Sequence, residues 1–140
     1  MTAEAKQHWS ARFASDHEPG WSEGVHYYAF GLRQRGRAWR PPTDVFENDS
    51  EFTVLVEVAG LRGVEVSVTL DEQVLRVRGT RPELSGARAY HQMEINYGDF
   101  VVEVRLPVPI DRDRIDASYN DGFLRVVLPK AQPRRIPVTT

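Results

Sequence analysis

The chain contains no cysteine. Disulfide frameworks, thiol nucleophiles and cysteine-ligated zinc are therefore excluded. No stretch approaches the ~18 uninterrupted apolar residues that a spanning helix needs, so no membrane span is expected. Met1 to Ser10 lacks the apolar core of a secretory signal. Lysine is scarce: Lys6 and Lys130 are the only two among 18 basic residues. Catalytic signatures are absent too. No Gly-rich phosphate loop ends in Lys-Ser or Lys-Thr, and no H-E-x-x-H occurs. No serine sits in a nucleophile elbow. His8, His17, His26 and His91 do not stand at i, i+3 or i, i+4, the spacing of ligands on one helix face. The expectation is a non-enzyme with no catalytic residue, no cofactor and no metal site, located in the cytoplasm.

The 140 residues suffice for one domain with short extensions. Charge is unevenly spread. Asp44 to Lys130 carries 16 acidic and 10 basic side chains, while each flank is at +2. An acidic middle argues against a nucleic-acid platform, which shows a basic face. Arg33, Arg35, Arg37 and Arg40 with Trp39 form a short basic run, better read as pairing with the acidic domain beside it. Asp111, Asp113 and Asp116 alternate with Arg112 and Arg114 and read as a charged surface loop.

Three zones separate by composition. Residues 1–40 form an arm holding seven of the 14 aromatics and all three tryptophans, Trp9, Trp21 and Trp39. Within it, Trp9 and Phe13 stand at i, i+4, so one or two helical turns are expected over Lys6 to Ala14, ended by Pro19-Gly20. Residues 41–130 read as strands. Phe52, Val54, Val56 and Val58 alternate with Thr53, Leu55 and Glu57. Val64, Val66, Val68 and Leu70 do the same, then Leu75 and Val77, then Phe100, Val102, Val104 and Leu106, then Leu124, Val126 and Leu128. Period-2 alternation gives each strand one core face and one solvent face. Gly60, Gly63, Gly79, Gly98 and Gly122 punctuate these runs. Short strands without a long helix indicate an all-β, antiparallel immunoglobulin-like β-sandwich. Arg81 to Tyr97 is too long for a tight turn and reads as an excursion, with its own strand expected around Ala89 to Glu94.

Residues 131–140 form a polar extension containing Ile136-Pro137-Val138. Two β-branched residues at i, i+2 point to the same side of an extended chain. Proline fixes its own φ and biases the preceding residue toward extended geometry. The tripeptide is pre-shaped as two knobs for a groove; by itself it is equally a frayed terminus with two stray apolar residues.

From Pro41 to Val138 the chain resembles the small heat-shock proteins, the α-crystallin domain family, of bacterial type. The resemblance rests on Pro42-Thr43-Asp44-Val45-Phe46-Glu47, Val58-Ala59-Gly60-Leu61 and Val66-Ser67-Val68-Thr69-Leu70. It continues through Leu75-Arg76-Val77-Arg78-Gly79, Tyr97-Gly98-Asp99-Phe100, Arg105-Leu106-Pro107 and Ile115-Asp116-Ala117-Ser118-Tyr119. It closes with Gly122-Phe123-Leu124 and Leu128-Pro129-Lys130. Three positions depart from the family pattern: Phe123 for valine, Val102 for a common arginine, and Gln73 for a frequent turn glycine.

The resemblance implies an ATP-independent holdase that binds partly unfolded clients and works as a homo-oligomer built from strand-swapped dimers. Arg88, Ala89, Tyr90, His91, Gln92 and Met93 of one chain would pair with Thr43, Asp44, Val45 and Phe46 of the other. Ile136, Pro137 and Val138 would anchor between strands carrying Val66 and Val68, and Ile115 and Ala117, of a neighbouring dimer. Trp9, Phe13, Trp21, Tyr27, Tyr28 and Phe30 would offer apolar surface to clients. Partners are then the chain itself and non-native proteins, with no nucleic acid. The competing reading is a non-catalytic co-chaperone or scaffold that binds a folded partner; such relatives typically lack the anchor and the long excursion.

Overall fold

The computed structural model describes residues 7–12 (as backbone), 38–86, 88–133 and 135–140. Among the described residues eight strands follow one another: β1 Gln7–Arg12, β2 Thr43–Glu47, β3 Glu51–Glu57, β4 Glu65–Asp71, β5 Val74–Arg81, β6 Gly98–Arg105, β7 Asp116–Asn120 and β8 Phe123–Pro129. They form two four-stranded sheets, ordered β1-β4-β5-β6 and β2-β3-β8-β7. Every strand pairing is antiparallel.

The alternation in the sequence is the alternation in space. Val54, Val56, Val66, Leu70, Leu75, Val77, Val102, Leu124, Val126 and Leu128 are fully buried between the sheets. Each such side chain stabilises the fold by about 1.5–3 kcal/mol when taken from water. Turn chemistry sets the registers. Asn48 Oδ1 accepts from the backbone N–H of Ser50 and of Glu51, closing β2 onto β3. Asp121 (φ 51°) and Gly122 (φ 84°) make the two-residue link between β7 and β8. An Asp-Gly pair with both φ positive matches the twist of the strands it joins.

Three sequence expectations are corrected. Residues 7–12 are a strand, not helical turns: β1 lies along β4, with Trp9 opposite Val68 and Ala11 opposite Val66. An unpaired strand edge offers a backbone ladder, which outweighs the weak pull of one i, i+4 pair. Residues 88–94 form no strand within the chain; an isolated extended segment has no ladder to join. Gly79 lies inside β5, opposite Phe100, rather than between strands. A Cβ there would stand 2.5 Å from Phe100 Cζ, so the ring occupies the space a side chain would need.

Val102 is fully buried and pairs with Val77 in the core. The charged loop is more than solvated surface. Its 3-10 turn, Arg112–Arg114, is capped by Asp111, which accepts from the Asp113 N–H.

Candidate functional site

The residues expected to receive the anchor meet at one edge of the sandwich, where β4 of one sheet faces β7 of the other. Two contacts fix this juxtaposition. At one end, the Tyr119 hydroxyl on β7 donates to Val58 O (2.8 Å) and accepts from Leu61 N–H (3.4 Å), holding the segment that leads into β4. At the other, Arg112, just ahead of β7, donates to Leu70 O (3.1 Å) and Glu72 O (2.9 Å) where β4 ends. Strands β4 and β7 are thereby tied at both ends and run in opposite directions across the gap.

Along this edge Val66 and Val68 are buried, while Ile115 and Ala117 are half-buried against the core. All four candidate residues therefore belong to or pack against one core cluster, with the two valines facing inward. The backbone edge of β4 is not open: β1 occupies it over six residue pairs, from Gln7↔Leu70 to Arg12↔Glu65. Sequence reasoning missed β1, because what makes these residues a strand is the edge of β4, more than 50 positions on.

The expected exchange strand and its receiving edge are both uncovered. Residues 88–96 are all solvent-exposed. Tyr90 donates its hydroxyl to Glu83 Oε1 (3.2 Å), and Met93 and Ile95 stand open. On the receiving side, β2 pairs only with β3 among the described strands. Val45 and Phe46 on it are exposed by 45% and 49%. Thr43 is half-buried and Asp44 exposed.

The base of the excursion is clamped. Arg81 donates to Asn96 O from both Nε and Nη2, and its guanidinium lies 4.4 Å from the Trp39 ring centroid. Burial lowers its pKa, against the opposing pull of the Tyr97 and Tyr119 phenols. Trp39 in turn donates Nε1–H to Gly98 O (3.2 Å) and bridges to Phe100 beside β6. This clamp, Trp39, Arg81 and Tyr97, was not foreseen: its members stand 42 and 16 positions apart in the chain.

In the tail, Ile136 is 80% and Val138 87% exposed. The anchor is therefore not seated on its own chain. Of the six aromatics expected to meet clients, Trp9 is placed on β1, and Phe13, Trp21, Tyr27, Tyr28 and Phe30 lie outside the described residues. Among the described residues, no group of three His, Asp or Glu side chains is placed to hold a metal ion, and no helix is long and apolar enough to cross a membrane.

Known proteins resemble this arrangement. The profile of the Hsp20/alpha crystallin family matches residues 44–139. Small heat shock protein C2 of Rickettsia felis is 32% identical over 94 residues, covering 66% of this chain and 61% of its own. The 18 kDa antigen 2 of Mycobacterium avium is 33% identical, covering 69% of this chain and 72% of its own. The chain thus spans about three fifths of the length of the Rickettsia relative. Among solved structures, a small heat-shock protein from Xylella fastidiosa superposes with TM-score 0.59 at 30% identity, over 74% of this chain and all of that one. HSP18.5 from E. histolytica gives the same TM-score at 26% identity, with the same two coverages. With the family profile spanning residues 44–139, the two-sheet fold and these relatives agreeing, the chain belongs to the Hsp20/alpha crystallin family of small heat-shock proteins.

Proposed function

We propose that this protein is an ATP-independent, non-catalytic chaperone, a holdase that keeps partly unfolded proteins from aggregating and works as a homo-oligomer of strand-swapped dimers. One observation carries the reading beyond family membership. The core is closed, yet large apolar side chains stand exposed outside it: Val45 and Phe46 on β2, Leu84, Tyr90, Met93 and Ile95 in the excursion, Phe123 on β8, and Ile136 and Val138 in the tail. Exposed apolar side chains beside unpaired backbone are what assembly covers. The proposed domain plan keeps residues 1–40 as client-binding arm, 41–130 as dimer-building sandwich and 131–140 as anchoring extension.

The energetics suit reversible assembly. Burying an Ile and a Val yields about 1.5–3 kcal/mol each. Ordering the extension and immobilising the subunit takes back much of it. Single contacts are then weak, and many together hold an oligomer by multivalency. Unfolding clients expose apolar surface and strand edges that associate with each other. Subunits that exchange offer competing surface of the same kind.

Light scattering of a heat-labile client enzyme, without ATP, tests this. Suppressed scattering at near-equimolar chain is expected; client aggregation unaffected across temperatures favours a scaffold. For the anchor, Ile136→Ala with Val138→Ala is expected to yield smaller assemblies on a calibrated column while the sandwich stays folded.

A further inference from the structure

The β4 edge has two claimants. One is β1, which holds it across six residue pairs with Trp9 and Ala11 opposite Val68 and Val66. The other, if Ile136-Pro137-Val138 is the anchor, is a neighbour's tail. Both place two apolar residues at i, i+2, the spacing that puts them on one face of an extended strand. An edge offers one row of hydrogen-bonding groups, so it accepts one strand at a time.

We propose that β1 is an internal competitor of the tail: it holds the β4 edge of the resting chain, and a neighbour's tail docks only where β1 has left.

Two physical differences set the balance. Residue 12 and residue 38 are joined by 25 residues, so β1 meets its edge at an effective concentration of about millimolar. The tail also carries Pro137 between its knobs and lacks one N–H there, whereas Gln7 to Arg12 contain no proline. The resident strand thus starts ahead, and the tail's apparent affinity falls by the fraction of chains whose edge is vacant. Linkage makes the effect reciprocal: whatever captures the arm at β1 strengthens tail docking by the same factor, and tail docking releases β1. Occupation of the arm by a non-native chain would then favour the assembled state.

This inference rests on the anchor reading, and the test separates the two. A fluorescent peptide of residues 131–140 is titrated into full-length chain carrying Ile136→Ala and Val138→Ala, which removes the chain's own tails as competitors. The same titration is run with Ser10→Pro and Ala11→Pro added. Adjacent N–H groups point to opposite sides of a strand, so the prolines remove a ladder bond whichever side faces β4. At least ten-fold tighter binding to the proline chain is expected. Equal binding to both chains overturns the competition and leaves the anchor standing. Binding to neither overturns the competition; if the Ile136→Ala, Val138→Ala assembly also keeps its size, the anchor reading falls with it. Hydrogen exchange on chain with intact β1 guards against a proline variant that misfolds. Saturating peptide is expected to speed exchange in residues 8–12 while β4 stays protected; bound peptide with unchanged exchange there overturns the proposal.

Discussion

At the scale of single residues, the sandwich depends on close approach more than on charge. Phe100 is 1% exposed, and its ring fills the place of a side chain on Gly79. Gly79→Ala leaves that ring no room in its present position. Displacing a packed aromatic costs about 1–3 kcal/mol. Thermal unfolding should show a midpoint lower by several degrees, since about 1 kcal/mol moves a domain of this size by ~4–8 °C. An unchanged midpoint would mean that the β5–β6 pairing gives way freely. Ion pairs carry less weight. Arg76 and Glu103 meet at 2.5 Å on the sheet surface but are 40% and 52% exposed; such a pair contributes about 0–1 kcal/mol. Sequence shows the glycine but not its reason, because the ring that excludes a side chain stands 21 positions away in the chain.

At the scale of elements, legibility follows how local the cause is. Strands β3, β4, β5, β6 and β8 were readable because each carries its own apolar alternation. Gly122 was read only as punctuation; the two-residue β7–β8 turn over Asp121-Gly122, both at positive φ, is a finding of the structure. β1 was not readable: its conformation is decided by the edge of β4, more than 50 residues on. The same holds for the groove, whose two strands are joined by Arg112 and Tyr119 reaching to backbone carbonyls over 42 and 61 positions. The β4–β5 hairpin gives a further case. Gln73 replaces a frequent turn glycine, yet the left-handed residue is Glu72, at φ 55°. For a residue with a Cβ that conformation costs about 1–2 kcal/mol, and asparagine tolerates it better. Glu72→Asn is therefore expected to stabilise the sandwich by about 0.5–1 kcal/mol, read as a higher urea midpoint with unchanged slope. A lower midpoint would show that the Glu72 side chain contributes more than its backbone strain removes.

At the scale of the whole molecule, the exposed apolar groups divide by the role each can play in assembly. β2 is an edge with Val45 opposite Val54 on the inward face and Phe46 opposite Thr53 on the outer face. Both remain about half exposed, so neither face of this strand is finished within one chain. The excursion from Pro82 to Tyr97 spans 16 residues with no strand among its described residues, and connections of that length are usually functional. Its Tyr90, Met93 and Ile95 are open, and its base is fixed by Arg81 on Trp39 and Asn96. A long reach from a fixed base, and an unfinished edge, are what the proposed strand exchange requires. Phe46→Lys tests it. Placed on an exposed edge, the lysine disturbs little within a chain, because Phe46 is 49% exposed. It places an unpaired charge where a second chain's apolar residues would close over it, which is costly once water is excluded. Sedimentation velocity should then show dimers dissociating toward single chains at micromolar concentration, with the far-ultraviolet spectrum unchanged. Dimers that persist would place the contact away from β2. Because tails hold dimers together in this scheme, Phe46→Lys should also shrink the largest assemblies, whereas Ile136→Ala with Val138→Ala should stop at the dimer. The two variants together order the assembly: edge pairing first, anchoring second.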